Sequence, residues 1–351
     1  MRLMNVFGDQ AEHVILSAMP NALGARDAID AGIRVAFPGD QAPPLHGKPS
    51  LARYNHLSRY MQQFDLILTY NWGSMDAVAA RRMFAGVRKL PRLIHHEDGF
   101  NLDESERLSI KRNLFRRLML PTADRLVVPS QRLENIARTA WKQPSARITR
   151  IPNGIEVACY AQMPEPNSIP GFTRAPDDVV VGTLAGLRGV KNLPRLVRAV
   201  AAQPPHVKLV IVGEGPERET IVAEAARLGI GDRLLLPGFL AAPHRYIGHF
   251  DIFALSSDSE QFPISLIEAM AAGLPVVSTD VGDVSAMVAP ENQPLIVPVS
   301  DEPAFTAALG TLVQDGSKRQ RIGTANRNAA RRDYDEAAMI SRYARLYGIG
   351  V

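Results

Sequence analysis

The stretch DIFALSSDSEQFPISLIEAMAAGLPVVSTDVGD, residues 251–283, contains the alternation that decides the fold. It opens with an apolar run, passes through a polar loop and an alanine-rich segment closed by Gly273, and ends in a second apolar run. The outer runs have the length and composition of buried strands, and the middle segment has those of a helix. The stretch therefore predicts a strand, a helix and a second strand parallel to the first.

The same alternation continues along the whole chain. Twelve short apolar runs are strand candidates, six in each half, and most lack a regular apolar and polar alternation. Strands covered on both faces have this composition, which favours an α/β fold with parallel sheets over an all-helical or all-β fold. The runs lie at 13–19, 34–38, 65–71, 92–97, 125–130, 148–154, 179–187, 207–215, 233–239, 251–258, 275–282 and 294–300.

The proline-rich stretch YAQMPEPNSIPGF, residues 160–172, divides the chain. It has neither a helical nor a strand period and therefore predicts a linker. We expect a first α/β domain over 1–160, a linker over 161–175, a second α/β domain over 176–330 and a C-terminal helix over 331–351.

Length and composition support a globular protein of two domains, because 351 residues with 46% hydrophobic content can form large cores. The single cysteine, Cys159, forms neither an internal disulfide nor a cysteine metal site, so the expected location is the cytoplasm.

The positive charge is concentrated in the first half of the chain. Residues 1–160 carry 22 Lys and Arg against 15 Asp and Glu, whereas the rest carries 18 against 21. A basic half favours an anionic partner such as nucleic acid, anionic lipid or a phosphorylated small molecule, or is a solvated surface. No nucleic-acid partner is expected, since no aromatic and basic surface of that kind is recognised.

The helix that follows the loop at 256–262 offers a site for phosphate. Pro263 is expected to be its first residue, because proline lacks the N–H that this position leaves unpaired anyway. The N–H groups of Ile264, Ser265 and Leu266 would then point outward, and such a helix start attracts phosphate through its donors and its dipole.

Two glutamates flank this helix start. Glu268 lies five residues into the helix, about 7.5 Å along its axis, which is close to the offset between a diphosphate and its attached ribose. Glu260, in the loop, would face the group at the other end of the diphosphate. The spacing fits a nucleotide-diphospho-sugar across the strand ends, where open α/β sheets bind ligands. The alternative is that both glutamates are ordinary solvated residues.

Two further turns lie at the same predicted sheet edge. In GTLAGLRGVKN, Arg188 and Lys191 are three residues apart and can neutralise a leaving diphosphate without a metal ion. In IVGEGPERE, Gly213 and its neighbours permit a close backbone approach to a ligand.

Together, GLRGVKN, IVGEGPE, PGF and SEQFPISLIEAMAAGLPVVSTDVGD resemble the C-terminal domain of the retaining GT-B glycosyltransferases of family 4, with their Glu-x7-Glu signature. The resemblance covers about residues 120–300, including VVPSQ and IPNGIE, which resemble the family's domain junction. It implies two Rossmann-like, doubly wound parallel-sheet domains that face a cleft, with the C-terminal helix packed back on the first domain.

The resemblance also implies roles for single residues. Arg188 and Lys191 would contact the diphosphate, Glu268 the ribose, and Glu260 the hydroxyls of the transferred sugar. Gln261 stands where many relatives have glycine. No cofactor and no metal are implied, because the nucleotide-diphospho-sugar is the donor substrate. The other implied donor-binding residues are Gly186, Gly213, Glu214, Phe262, Pro263, Ile264 and Ser265.

In the first domain, PRLIHHEDGFN resembles the family's strand end that supplies a histidine near the donor sugar. His95 and His96 are both candidates, and Asp98 is a third polar group on the same loop. Four adjacent ionisable residues favour a functional site. The family usually begins with a strand and a glycine-rich loop that this sequence lacks, so we expect Met1 to be an internal methionine.

The segment SIKRNLFRRLMLP, residues 109–121, mixes basic and apolar residues. It fits a helix that lies on an anionic membrane, as suits enzymes that extend lipid-linked sugars, or a basic amphipathic helix that packs its apolar side on the core. Its basic residues are Lys111, Arg112, Arg116 and Arg117, beside Leu114, Phe115, Leu118 and Met119.

The resemblance implies a retaining, metal-independent glycosyltransferase that moves a sugar from a nucleotide-diphospho-sugar to a glycan or lipid-linked acceptor. Its product would be a surface polysaccharide or glycolipid. The alternatives are a nucleotide-sugar epimerase of the same architecture and an inactive sugar-nucleotide-binding subunit. Peripheral contact with the inner face of the membrane stays open beside a purely cytoplasmic location.

Overall fold

The computed structural model describes residues 1–19, 23–45, 47–99 and 109–350. The chain forms two compact units, Met1–Pro152 with Met339–Val351, and Asn153–Ala338. Each unit contains a parallel sheet, which confirms the predicted fold class.

The first unit contains a four-stranded parallel sheet whose strands β3, β4, β5 and β6 are neighbours in chain order, and a separate parallel pair of β1 and β2. The strands are β1 (His13–Val14), β2 (Val35–Ala36), β3 (Leu66–Tyr70), β4 (Arg92–His96), β5 (Arg125–Val128) and β6 (Ile148–Arg150). The helices are α1 (Arg2–Phe7), α2 (Leu51–Met61), α3 (Met75–Phe84), α4 (Ile110–Met119) and α5 (Gln131–Thr139).

Serine side chains begin three of these helices. Ser50, Ser109 and Ser130 precede α2, α4 and α5, and each accepts a hydrogen bond from the N–H three residues later. A serine at this position satisfies a backbone donor that the helix itself leaves unpaired. The helices cover a core that includes the buried side chains of Leu93 and Trp141.

The second unit contains a six-stranded parallel sheet in the order β12, β11, β10, β7, β8, β9. Its strands are β7 (Val179–Leu184), β8 (Val207–Val212), β9 (Leu234–Gly238), β10 (Ile252–Leu255), β11 (Val276–Thr279) and β12 (Ile296–Val297). Its helices are α6 (Leu193–Ala201), α7 (Arg218–Arg227), α8 (Ile264–Ala271), α9 (Val284–Met287), α10 (Glu302–Gln314) and α11 (Gly316–Asp333).

Both faces of this sheet are covered. Val180 and Phe253 pack into one buried cluster, and Val181 and Ile252 pack into another. Successive strand residues point to opposite faces, so strands covered on both sides need apolar residues at every position. The strand order reverses between β7 and β10, where open α/β sheets bind ligands beyond the carboxyl ends of their strands.

The C-terminal helix α12 (Glu336–Tyr347) ends in the first unit. Its residues Ile340, Tyr343 and Tyr347 form a buried cluster with Phe7 and Ile94. This packing confirms the expected return of the C-terminal helix onto the first domain.

The predicted linker is wrong as a boundary. Residues 161–175 belong to the second unit, which begins at Asn153, and Ile169 is buried in its core. The prolines remove any helical or strand period from this stretch, yet single apolar side chains still pack and the Glu165 N–H donates to the Arg245 carbonyl at 2.7 Å. Each of the twelve predicted apolar runs contains one strand.

Candidate active site

The loops that follow β7 and β10 are tied together at the point where the strand order reverses. The Ser256 hydroxyl donates to the Lys191 carbonyl at 3.0 Å, and the Asp258 N–H donates to the Val190 carbonyl at 2.8 Å. The Asn192 amide donates to the Asp258 carboxylate at 3.1 Å. These bonds fix the β7 loop against the residues that lead to Glu260.

Lys191 and Glu260 meet at this junction. The Lys191 ammonium donates to Glu260 Oε1 at 2.5 Å, and the Ser257 hydroxyl donates to the same oxygen at 2.7 Å. Their side chains are only 16% and 11% exposed, so water screens the pair weakly. The cation predicted for phosphate and the carboxylate predicted for sugar hydroxyls therefore lie in direct contact.

Arg188 lies at the same turn and is exposed. Its Nε lies 3.6 Å from the position that a Cβ at residue 186 would take, which is an ordinary contact distance, so the guanidinium lies beside Gly186. Among the residues that the structure describes, no carboxylate forms an ion pair with Arg188. The charge of Arg188 is therefore available to an anionic ligand.

Gly213 allows the turns after β7 and β8 to touch. A Cβ at this position would lie 1.9 Å from the Ala185 carbonyl oxygen, and φ is 145°. The Leu187 N–H donates to the Glu214 carbonyl at 2.8 Å. The glycine thus allows two backbones to pack closely. Its close approach to a ligand stays a prediction.

A cavity of about 420 Å³ lies beyond β8 and β9. It contains one predicted site residue, Glu214, whereas Lys191 and Glu260 lie outside its lining. The cavity is lined by Glu214, Gly215, Arg218, Pro237 and Gly238.

The start of α8 has the features expected of a phosphate site. Pro263 precedes the first helical residue, Ile264, by one position, and the first turn contains no acidic side chain. Ile264 is exposed and Ser265 is partly exposed. The predicted third free donor is wrong, because the Leu266 N–H donates to the Pro263 carbonyl at 3.2 Å.

Phe262 and Glu268 are held by aromatic residues of the second unit. The ring of Phe262 meets Tyr334 edge-on with centroids 5.8 Å apart and packs on the core. The carboxylate of Glu268 accepts a hydrogen bond from the Tyr160 hydroxyl at 3.0 Å. The sequence pattern missed Tyr160 because it lies at the edge of the stretch interpreted as a linker.

His95 and His96 are both fully buried in the first unit. His95 Nδ1 lies 2.9 Å from the Thr69 hydroxyl, and its Nε2 lies 3.4 Å from Glu97. His96 Nδ1 donates to the Thr69 carbonyl at 3.2 Å, and its Nε2 accepts from the Tyr347 hydroxyl at 2.9 Å. Both ring nitrogens of each histidine thus have protein partners, so the structure assigns them to the interior.

Among the described residues of this loop, up to Gly99, Asp98 is the exposed ionisable group. Its N–H donates to the Asn71 side-chain oxygen at 2.8 Å. Partial desolvation, followed by the like charge of Glu97, raises the pKa of the Asp98 carboxyl. Of the three candidates in the first domain, Asp98 alone is accessible to a ligand in this structure.

Glu97 and Arg116 form a buried ion pair that no pattern in the sequence indicates. The guanidinium donates to both carboxylate oxygens at 3.2 and 3.1 Å, and the side chains are 0% and 1% exposed. The guanidinium also lies about 5 Å from the ring centroids of Trp72 and Trp141. The composition of residues 109–121 suggests a basic surface that includes Arg116. The buried position of its guanidinium excludes Arg116 from such a surface.

Lower pH is expected to destabilise the first unit through His96. Burial, partly offset by the bond to the Thr69 carbonyl, lowers the pKa of His96 to about 3. Below the ordinary value near 6.5 the unfolded chain takes up a proton that the folded one excludes, so stability falls by about 1.4 kcal/mol per pH unit. Tryptophan fluorescence reports unfolding of this unit, because both tryptophans, Trp72 and Trp141, lie in it.

The matched variants are His96→Gln and His56→Gln, since His56 is an exposed histidine of the same unit. The free energy of unfolding is measured at pH 7.5, 6.5 and 5.5. It should depend less on pH in His96→Gln than in the wild type and in His56→Gln. Equal slopes for all three would contradict this account of His96.

Two family profiles together match most of the chain. Residues 10–158 match Glycosyltransferase Family 4, and residues 166–329 match Glycosyl transferases group 1. Among curated proteins, the GDP-mannose-dependent alpha-(1-6)-phosphatidylinositol monomannoside mannosyltransferase of Mycolicibacterium smegmatis is 27% identical over 353 residues, with 95% of this chain and 90% of that protein covered.

Other curated matches are shorter. The N-acetyl-alpha-D-glucosaminyl L-malate synthase of Bacillus anthracis is 28% identical over 166 residues, which cover 47% of this chain and 44% of that protein. The chain thus spans about half the length of this relative and of the Rhizobium meliloti lipopolysaccharide core glycosyltransferase LpsD.

Solved structures show the same fold at low identity. A glycosyltransferase from Rickettsia africae has a TM-score of 0.74 at 12% identity, with 98% of this chain and 93% of that chain covered. Anabaena HepE in complex with UDP has a TM-score of 0.72 at 20% identity, with 90% and 86% covered. With the two family profiles and the two parallel-sheet units, these findings place the chain among the group 1 glycosyltransferases of the GT-B fold.

Proposed function

We propose that this protein is a retaining glycosyltransferase that moves a sugar from a nucleotide-diphospho-sugar to a glycan or lipid-linked acceptor in polysaccharide or glycolipid synthesis. The observation that carries the proposal is the contact of Lys191 with Glu260, where the strand order of the sheet reverses. Names of relatives support the donor class, since one is GDP-mannose-dependent and the HepE structure contains UDP.

The second unit would hold the donor. Arg188 and Lys191 would bind the diphosphate with the N–H groups of Ile264 and Ser265, because cations and a helix start both attract phosphate. Glu268 would accept hydrogen bonds from the ribose. Glu260, which already contacts Lys191, would accept from hydroxyls of the sugar and so align it with the phosphate.

The chemistry proposed for this site is mainly electrostatic. The bond from the anomeric carbon to the diphosphate oxygen breaks as the acceptor oxygen bonds to that carbon on the same face. The proton of the acceptor hydroxyl passes to the departing phosphate oxygen. Preorganised cations and N–H groups stabilise the charge that develops on the leaving group. Lys191 and Arg188 supply this charge, so we propose that the reaction needs no metal ion.

The first unit would contribute through Asp98. The carboxyl is exposed at the end of β4, and its raised pKa makes it a suitable partner for a hydroxyl group. We assign His95 and His96 to support of this strand end, because both rings are enclosed.

The test is turnover of UDP- and GDP-sugars in EDTA, with and without glycan or lipid-linked acceptors. The proposal predicts an acceptor-dependent product in which the anomeric configuration of the donor is kept. An inverted product, or a donor converted to its epimer without acceptor, would overturn it, as would failure of the protein to consume any donor that it binds.

Helix α4 supports the anionic membrane as a partner. Ile110, Leu114 and Leu118 form an exposed apolar stripe with Lys111 and Arg117 beside it. The other side of the helix packs on the core through Phe115 and Met119, as expected of a basic amphipathic helix. The exposed stripe on the opposite side supports the proposed contact with a membrane. Within the described ranges, no helix has the length and hydropathy needed to cross a membrane.

We expect the protein to sediment with vesicles rich in anionic lipid at low salt and to be released at high salt, because screening weakens the attraction of exposed charges. Leu114→Gln with Leu118→Gln should abolish sedimentation, since the stripe supplies the apolar contact. Val87→Gln, which removes an exposed apolar residue elsewhere in the unit, is the control. Unchanged sedimentation of the double variant would contradict a role for α4.

A further inference from the structure

The carboxylate of Glu268 accepts a hydrogen bond from a residue in a distant part of the sequence. Tyr160 lies in a 3-10 turn at Val157–Ala161, and its hydroxyl donates to Glu268 Oε1 at 3.0 Å. Tyr160 is 8% exposed and packs in the same buried cluster as Leu266 and Ile267 of α8. In such surroundings a hydrogen bond to a carboxylate is stronger than in water.

The turn that carries Tyr160 is itself fixed at its start. The Ile155 N–H donates to the Tyr334 carbonyl at 3.0 Å, and the Glu336 N–H donates to the Ile155 carbonyl at 2.9 Å. Gly154 is required there, because a Cβ at this position would lie 2.8 Å from the Glu336 Cα. The Tyr160 ring also meets His244 edge-on with centroids 6.0 Å apart. These contacts therefore hold the Tyr160 ring, and with it the hydroxyl, in one position.

A fixed donor matters for what a carboxylate on α8 can do. A free glutamate side chain samples several rotamers, and a ligand that needs one of them must first remove that freedom. A vicinal diol donates two hydrogen bonds in a defined direction, so it binds best to a carboxylate that is already oriented. The bond from Tyr160 selects one orientation of Glu268 before the ligand binds.

We propose that Tyr160 is a positioning residue: its hydroxyl orients the Glu268 carboxylate to accept hydrogen bonds from the ribose hydroxyls of the nucleotide. The inference rests on the proposed function, in which Glu268 binds ribose. It adds that the start of the second unit, before its first strand, contributes to nucleotide affinity through the Tyr160 hydroxyl.

The test is calorimetric titration of UDP, and of 2′,3′-dideoxy-UDP as a probe without the diol. Wild type is compared with Tyr160→Phe, Glu268→Gln and the double variant. Phenylalanine keeps the packed ring and removes only the hydroxyl. Tyr160→Phe should weaken UDP about tenfold, the scale of one hydrogen bond to a charged group, and leave dideoxy-UDP unchanged. The double variant should bind UDP as Glu268→Gln does, because the Tyr160 hydroxyl is proposed to act only through the Glu268 carboxylate.

Tyr334→Phe is the control, because it removes a hydroxyl from the same buried cluster, where it donates to the Met287 carbonyl. Its affinity for UDP should equal that of wild type.

Two failures can be told apart. UDP affinity that falls in Glu268→Gln and stays at the wild-type value in Tyr160→Phe would overturn the positioning role alone. Equal loss of UDP and dideoxy-UDP binding in Tyr160→Phe would overturn it as well, because a ribose-specific effect is required. If Glu268→Gln binds UDP as wild type does, the ribose site itself is wrong.

Discussion

Replacing Lys191 with alanine is expected to lower sugar-transfer turnover by about 10²-fold or more. This is the scale of losing one group that stabilises developing charge. The ammonium would lie against the leaving diphosphate, where its charge counts most in the transition state. Its removal also leaves Glu260, 11% exposed, without the cation it contacts. That carboxylate would then repel the phosphate that Lys191 attracted. The measurement is the initial rate of product formation at saturating donor.

Lys318→Ala is the matched control, because Lys318 lies in α11, outside the loops of the proposed site. It should keep the wild-type rate. A Lys191→Ala protein that is folded and turns over at the wild-type rate would remove the phosphate site from the proposal. A rise in KM with unchanged kcat would show that Lys191 binds substrate and transition state equally, which also contradicts its proposed role.

Replacing Arg116 with methionine is expected to destabilise the first unit by about 3 to 5 kcal/mol. This is the cost of leaving the buried charge of Glu97 without the guanidinium. Glu97 is 0% exposed and would lose both hydrogen bonds from the guanidinium. Denaturant unfolding followed by tryptophan fluorescence measures the effect where it occurs, since Trp72 and Trp141 both lie near Arg116.

Arg117→Met is the control for this change. Arg117 is the next residue of α4 and is exposed, so its loss should change stability by less than about 1 kcal/mol. Combining Arg116→Met with Glu97→Leu should recover much of the loss, because no unpaired charge then stays buried. Equal unfolding midpoints for Arg116→Met and Arg117→Met would contradict a structural role for the pair.

The strands could be predicted because their signal is local. A run of apolar residues needs no partner to be recognised, and all twelve predicted runs contain strands. The domain boundary could not be predicted in the same way. Proline removes the periodicity of residues 160–172, but whether Tyr160 and Ile169 are buried depends on core surfaces formed by residues far along the chain.

The meeting of the loops after β7 and β10 was predictable for a related reason. Arg188 and Lys191 follow one strand, Glu260 follows another, and the carboxyl ends of parallel strands lie at one edge of a sheet. The contact of Lys191 with Glu260 agrees with that expectation. Tyr160 was not predictable, because its contact with Glu268 joins residues 108 positions apart without any repeating pattern.

The ionisable residues His95 to Asp98 are adjacent in sequence but do not share one environment in the fold. Four ionisable residues in a row indicated a functional loop, yet strand geometry buries His95 and His96, and Arg116 holds Glu97 in the interior. The basic neighbours of Arg116 in the sequence predict a surface position for it. Only the packing of α4 on Trp72 and Trp141 shows that its guanidinium is enclosed.

The most direct measurement is a crystal structure of the protein with bound UDP or GDP. The account predicts that the diphosphate contacts the Lys191 ammonium and the N–H groups of Ile264 and Ser265, with the ribose hydroxyls on Glu268. A nucleotide that binds elsewhere, with these groups untouched by phosphate, would contradict it.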